Sequence, residues 1–496
     1  MTGSDSVGQR TRVRISTGVK GLDEITHGGL IPDRLYLLEG TPGSGKTTIG
    51  LQFLRESVRL GQECLYVTLA ETLDELQDAA ASHGLDLDGI DVFEFSSASS
   101  GQGQTDYTLF HPSEVELSER LTEVFRVFDR LQPRRVVIDS LSELRLLARD
   151  SLRFRRQILS LKQFFAGRNA TVLVLDDQTT DMGDRQMHSL AHGVITLDMV
   201  VQDFGSDRRR IKVAKLRAST FSGGHHDMVI RTGGVVVFPR LIALEHGRDN
   251  APERVSTGMP ALDDLLGGGT FRGSSTLLLG AAGSGKSVLA TVLTCAAARR
   301  GEVAVIYAME ENRNTLLARS AALGLPLLEM INRELVFLDQ VDPAEMSAGD
   351  FAHRVCERVT RDKATTVVID SLNGYLNAMP GDRSLLLHLH ELLTYLAGQG
   401  VTTILVEAQA GMIGPMRTPV DVSYLADAVV MHRFFEAHGE VRRAISVIKN
   451  RLAAHENTIR ELKIGPGISF GPPLREYQGV ISGAPVRVTP PDRPRE

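Results

Sequence analysis

Along this chain, short runs that are apolar throughout alternate with longer stretches in which apolar residues return every three or four positions. From Arg34, RLYLLEG leads into TPGSGKTTIGLQFLRESVRL, then ECLYVTLAE, a helical stretch, RRVVIDS, another helical stretch and TVLVLDDQ. A short run without alternation is the mark of a strand buried on both faces, and the 3.6-residue period between runs marks crossover helices. The pattern predicts an α/β fold with a mostly parallel central sheet, whose ligands sit at the carboxyl ends of the strands.

The same pattern occurs twice. The stretch from Arg14, RISTGVKGLDEITHGGL, returns from Arg254 as RVSTGMPALDDLLGGGT. Gly18 maps to Gly258, Asp23 to Asp263, Lys46 to Lys286 and Glu71 to Glu311, all with a shift of 240. Later landmarks shift by 231 (Asp139 to Asp370) and 234 (Lys215 to Lys449, Arg217 to Arg451). A repeat of this length is a duplicated domain rather than a solenoid unit. The polar stretch EHGRDNAPE, residues 245–253, is the expected boundary, giving domains 1–247 and 248–496.

Each copy carries a phosphate-cradling sequence in the context that gives it a mechanism, after an apolar strand and at the start of a helix. In the first it is Gly40, Thr41, Pro42, Gly43, Ser44, Gly45, Lys46 and Thr47, followed by Thr48. In the second it is Gly280, Ala281, Ala282, Gly283, Ser284, Gly285, Lys286 and Ser287, followed by Val288. Glycines there let backbone N–H groups close around phosphate oxygens, and the helix N-terminus adds partial positive charge. Lys46 and Lys286 are expected on the β- and γ-phosphates of ATP, and Thr47 and Ser287 on Mg²⁺. An apolar strand ending in Asp-Ser follows in each copy, so Asp139 and Asp370 are the expected carboxylates for the water shell of that Mg²⁺. Hydrolysis also needs a group to orient or deprotonate water. Glu310 and Glu311 close one strand in the second copy; the first reads Thr68-Leu69-Ala70-Glu71, which leaves Glu71 without the leading carboxylate.

With 42% hydrophobic and 23% charged residues in 496, the composition is that of packed globular domains, and no run approaches the ~18 apolar residues of a membrane span. The expectation is a cytoplasmic protein with no membrane contact. Cys64, Cys295 and Cys356 lie far apart and read as buried small hydrophobes. A net charge of -6 and 5% aromatics speak against a nucleic-acid partner. The run Arg208, Arg209, Arg210 reads as a solvated strand edge, and His225-His226 as an exposed loop pair.

At these residues the chain resembles the KaiC family, double-domain members of the RecA superfamily, over nearly its whole length. The resemblance rests on STGxxxLDxxxxGG before each P-loop, Glu-Glu after the second strand, Asp-Ser, and a late strand with Lys-x-Arg, here Lys215-Leu216-Arg217 and Lys449-Asn450-Arg451. It implies two tandem RecA-like P-loop domains, ATP and Mg²⁺ as cofactors, and an ATP-dependent homohexameric double ring. In such rings Lys215, Arg217, Lys449 and Arg451 reach the phosphates of a neighbouring subunit. It assigns the leading Glu as catalytic base, which falls on Glu310 in the second domain and on Ala70 in the first.

The family's autophosphorylated Ser-Thr pair falls on Ser423-Tyr424, so the resemblance implies Ser423 as phosphosite, with Tyr424 packing or hydrogen-bonding instead. It further implies a regulatory switch acting on a signalling protein. The tail after Gly483 is shorter than the segment that engages the clock activator, which points away from a full oscillator. A DNA-dependent recombinase or helicase motor of the RecA/RadA kind and an ATP-dependent scaffold are the alternatives.

Overall fold

The computed structural model describes residues 13–95, 112–148, 151–177, 186–202, 204–242, 253–377, 385–411, 421–482 and 484–488. The chain divides into two compact units, Met1–Arg240 and Leu241–Glu496. The stretch in which sequence places the boundary lies outside the described residues except for Glu253.

The first unit is built on one nine-stranded sheet. Its strands are β1 (Leu35–Gly40), β2 (Cys64–Thr68), β3 (Asp91–Glu94), β4 (Arg135–Asp139), β5 (Thr171–Asp177), β6 (Gly193–Val200), β7 (Arg208–Leu216), β8 (His226–Arg231) and β9 (Gly234–Phe238). They lie in the order β3-β2-β4-β5-β1-β6-β7-β8-β9. Pairing is parallel from β3 to β6 and antiparallel from β6 to β9. Every residue of β1 is buried because helices cover both faces. Leu35 and Leu37 face the helices Pro112–Leu131 and Ser151–Phe165, while Tyr36 and Leu38 face the P-loop helix Lys46–Arg59. That two-sided burial is why β1 reads as a continuous apolar run.

The second unit repeats the plan. A ribbon of β10 (Arg254–Val255) and β11 (Thr270–Phe271) precedes the sheet strands β12 (Ser275–Ala281), β13 (Val303–Ala308), β14 (Val336–Gln340), β15 (Ala364–Asp370), β16 (Thr402–Gln409), β17 (Ala428–Ala437), β18 (Glu440–Asn450), β19 (Arg460–Gly465) and β20 (Gly467–Pro473). A short pair, β21 (Tyr477–Gln478) and β22 (Val486–Arg487), follows. The order β14-β13-β15-β16-β12-β17-β18-β19-β20 matches the first sheet position for position. Both are the mostly parallel α/β sheets of tandem RecA-like domains. The strand bearing each P-loop lies between two parallel partners, where crossovers leave in opposite directions and open a crevice at the carboxyl ends.

The STG…D repeat is a folding fixture. Asp23 accepts from the Thr17 N–H at 2.8 Å, the Thr17 hydroxyl at 2.7 Å and the Ser16 hydroxyl at 2.7 Å; Asp263 does the same for Thr257 and Ser256 at 2.8, 2.6 and 2.6 Å. Two expectations are corrected. The arginine run opens β7, inside the sheet rather than at its edge: Arg208 is buried, Arg209 donates to Gly43 O at 3.1 Å and Arg210 faces Asp227 at 3.5 Å. His226 is buried at the start of β8, where its Nδ1 accepts the Arg240 N–H at 2.9 Å and burial lowers its pKa.

Phe351 lies at the centre of one face of the second sheet, edge-on to Tyr307 at 5.2 Å and tilted against Tyr375 at 5.3 Å. Phe351→Ala should cost about 3–5 kcal/mol through lost transfer energy and cavity. Denaturant unfolding checks this; a cost under about 1 kcal/mol would place Phe351 outside the core.

Candidate active site

Residues 40–47 run from the end of β1 into the first turn of the helix Lys46–Arg59, and residues 280–287 from the end of β12 into the helix Lys286–Arg299. Thr48 and Val288 follow, buried, as the third residue of each helix. Gly45 and Gly285 stand before the helices at φ 103° and 101°, a left-handed backbone that favours glycine. A Cβ at Gly285 would lie 2.4 Å from Ile464 Cδ1, so a side chain there would have to displace Ile464 as well as hold the left-handed backbone.

Both P-loop lysines are buried and held by the carbonyls that flank the loop. Lys46 Nζ donates to Gly40 O at 2.8 Å and Thr41 O at 3.0 Å and pairs with Asp177 at 2.8 Å. Lys286 Nζ donates to Gly280 O at 2.8 Å and Ala281 O at 2.7 Å; burial lowers its pKa to about 8, against the opposing pull of Asp370, Glu310 and Glu407. A further arginine braces each loop, Arg209 on Gly43 O and Arg443 on Gly283 O at 3.3 Å.

The hydroxyls and carboxylates expected around Mg²⁺ come together in each domain. Thr47 Oγ1 donates to Asp139 Oδ2 at 3.0 Å, and the Tyr66 hydroxyl donates to the same oxygen at 2.6 Å. Ser287 hydrogen-bonds Asp370. Burial raises the pKa of both aspartates.

The acidic residues after the second strand differ in their ties. Glu310 accepts the Ser371 hydroxyl at 2.5 Å. Glu311 pairs with Arg319 at 2.8 Å, and burial raises its pKa despite that arginine. In the first domain Ala79 stands at the place of Arg319, and among the described residues no cation pairs with Glu71. Glu71 lines the cleft of Gly43, Lys46 and Thr47, immediately before the Thr72-Glu75 capping box, and its pKa is raised by burial and then by Asp139.

Of the late-strand cations, Lys215 donates to His188 O and, at 2.9 Å, to Ala191 O; Arg217 donates to Ser189 O at 2.8 Å. Lys449 donates to Ser423 O at 2.8 Å and Ala426 O at 2.6 Å, and Arg451 to Tyr424 O at 2.6 Å. They brace the segment that carries Ser423, whose N–H donates to Asp421 at 2.9 Å. Tyr424, expected to pack or hydrogen-bond, has a half-exposed side chain, which speaks against packing alone.

The ATPase family model for KaiC matches residues 15–242 and again 255–474. The chain belongs to the KaiC ATPase family. It is thus a P-loop ATPase that binds nucleotide. The circadian clock oscillator protein KaiC of Rippkaea orientalis is 28% identical over 96% of this chain and 92% of its own length, and that of Synechococcus elongatus 27% over the same shares. The circadian clock protein KaiC3 of Synechocystis is 25% identical over 95% of this chain and 94% of its own. No helix among the described residues is long and apolar enough to cross a membrane.

Sequence reading missed Tyr66, Arg209, Arg443 and Glu407 in this KaiC-family chain. The 234-residue shift that links Lys215 to Lys449 also links Arg209 to Arg443 and was a usable signal; for Tyr66 there is none, since the second copy has Ile306 there. Glu407 is a buried carboxyl beside Lys286, with Oε1 unpartnered among the described residues; burial and then Asp421 push its pKa up to about 7. A raised folded-state pKa means the protonated carboxyl's stability is complete below about pH 4.5 and lost as pH rises through 7. Glu407→Gln should therefore gain about 3 kcal/mol on wild type between pH 4.5 and 8. Denaturant midpoints at the two pH values measure this; a pH-independent difference would contradict it.

Proposed function

We propose that the chain works as an ATP-driven ring switch: a homohexameric double ring in which each nucleotide is enclosed by two subunits, with turnover residing mainly in the second domain. The observation that carries this is the asymmetry at the base position. Glu310 stands against Ser371 beside the loop of Lys286 and Ser287, with Glu311 drawn aside by Arg319, whereas the first domain has Ala70.

Thr47 with Asp139, and Ser287 with Asp370, are the residues that would hold Mg²⁺. The fit is supported by a hydroxyl and a carboxylate already meeting at each place, and by carboxyl pKa values that burial raises and a cation would lower. Bound there, the ion supplies positive charge to the γ-phosphate. Buried Thr41 Oγ1, without a partner among the described residues, is a hydroxyl left for a phosphate oxygen. Lys286 and the loop N–H groups bind and orient the phosphates, and Glu310 takes the proton from attacking water or from an incoming hydroxyl. Lys449 and Arg451, at the end of β18, would reach a neighbour's phosphates, and Lys215 and Arg217 would do so in the first ring.

Ser423 is the proposed acceptor for serine autophosphorylation. Lys449 and Arg451 brace its segment from below, so a phosphate of about -1.5 to -2 charge there would change the charge balance of the face that carries those cations. A signalling protein reading that face is the proposed partner. The DNA-driven motor is not favoured, given the family and the acidic net charge.

Turnover with Mg-ATP tests the division of labour. Glu310→Gln should lower it about 10²–10⁴-fold, as removal of a positioned base does, and Glu71→Gln by less than tenfold. Equal losses would contradict it. Loss of neither, in a chain that still assembles with ATP, would favour the scaffold.

A further inference from the structure

The duplication places a residue of the first domain where Ser423 stands in the second. Lys215 donates to the carbonyls of His188 and Ala191, and Lys449 to those of Ser423 and Ala426. Arg217 donates to Ser189 O and Arg451 to Tyr424 O. The backbone agrees: Arg217 N bonds His192 O as Arg451 N bonds Asp427 O, both at 2.9 Å, and His192 N bonds Leu35 O as Asp427 N bonds Ser275 O. These five matched contacts put His188 at the position of Ser423.

His188 is a nucleophile held by a carboxylate. Its Nε2 lies 2.8 Å from Glu39 Oε2, and Glu39, buried one residue before the P-loop, also accepts the Thr196 hydroxyl at 3.2 Å. A carboxylate only accepts, so the hydrogen-bond network assigns the ring hydrogen to Nε2 and leaves the lone pair on Nδ1. No partner faces Nδ1 among the described residues, and the side chain is 38% exposed. In the second domain Leu279 replaces Glu39.

We infer that the first domain is a histidine autokinase, in which His188 Nδ1 takes the γ-phosphoryl group of ATP held by a neighbouring subunit. This rests on the ring reading above, which puts these positions beside a neighbour's nucleotide. The Nδ1 lone pair forms the N–P bond, the bond from Pγ to the β–γ bridging oxygen breaks, and its electron pair leaves with ADP. The ring becomes cationic and Glu39 balances it through Nε2–H. No proton leaves the nucleophile, so no base is required. A serine hydroxyl must lose its proton, and the second domain has Glu310 for that task. Ala70 and His188 therefore belong together as Glu310 and Ser423 do.

The test uses the full chain with γ-labelled ATP and Mg²⁺, quenched in alkali, with the linkage read by its acid lability and the site by mass spectrometry at neutral pH. Label that is stable to alkali and lost in mild acid is expected on His188. It should persist in Ser423→Ala, vanish in His188→Gln and in Lys46→Ala, and form about 10²-fold more slowly in Glu39→Gln, where an electrostatic stabiliser is lost. Native mass spectrometry and the Ser423 label confirm that His188→Gln is folded and assembled. Acid-labile label surviving His188→Gln, or a ring that labels Ser423 and carries no acid-labile phosphate, overturns this inference alone. A chain that neither assembles with Mg-ATP nor labels either residue overturns the ring reading and this inference together.

Discussion

An ammonium buried at the carboxyl end of a central parallel strand sets the terms for each half of this chain. Removing such a charge from water costs several kcal/mol unless hydrogen bonds and opposite charge replace the solvent. The fold answers with the two carbonyls that flank each P-loop, and the loop can turn those carbonyls onto Nζ because its glycines accept a left-handed backbone. In the first domain Asp177 completes the compensation. In the second, Ala408 stands in register where Asp177 stands in the first, and Lys286 is left with a depressed pKa and carboxylates at longer range. A polyanion therefore has more to offer the second lysine than the first.

Divergence between the copies follows the same electrostatic logic. Glu39 and Asp176 are adjacent carboxylates on β1 and β5, and His188 and Arg145 face them, Arg145 at 2.6 Å from Asp176. In the second copy Leu279 replaces Glu39 and Leu376 replaces Arg145, while Glu407 remains. The buried carboxyl left behind holds its proton near neutrality, which is why it needs no cation. One copy solves its polar interior with ion pairs and the other with a protonated acid.

The α/β class, the duplication, both P-loops and the Asp-Ser strands were legible in sequence because each is a local pattern: an unbroken apolar run, or glycines at fixed spacing. Contacts between distant strands were not. Nothing near Tyr66 says that its hydroxyl lands on Asp139, or near Glu39 that it meets His188, 149 positions on. The arginine run was misread because alternation of polar residues looks the same on an edge strand and on β7, where the polar side chains are spent on Gly43 O and Asp227. His226 was misread because a loop-like pair in sequence opens a strand in space.

The account depends on each second-domain phosphate site being completed by two subunits, with the P-loop from one and the β18 cations from the next. A heterologous interface of this kind closes into a ring in which either half of a site can be damaged separately. Lys286→Ala chains and Lys449→Ala chains should each lose most turnover, and equal mixing with exchange should restore about a quarter of the wild-type rate, because random assembly gives an intact P-loop and an intact Lys449 at one interface in four. No recovery, in rings that native mass spectrometry shows to be mixed, would contradict the account.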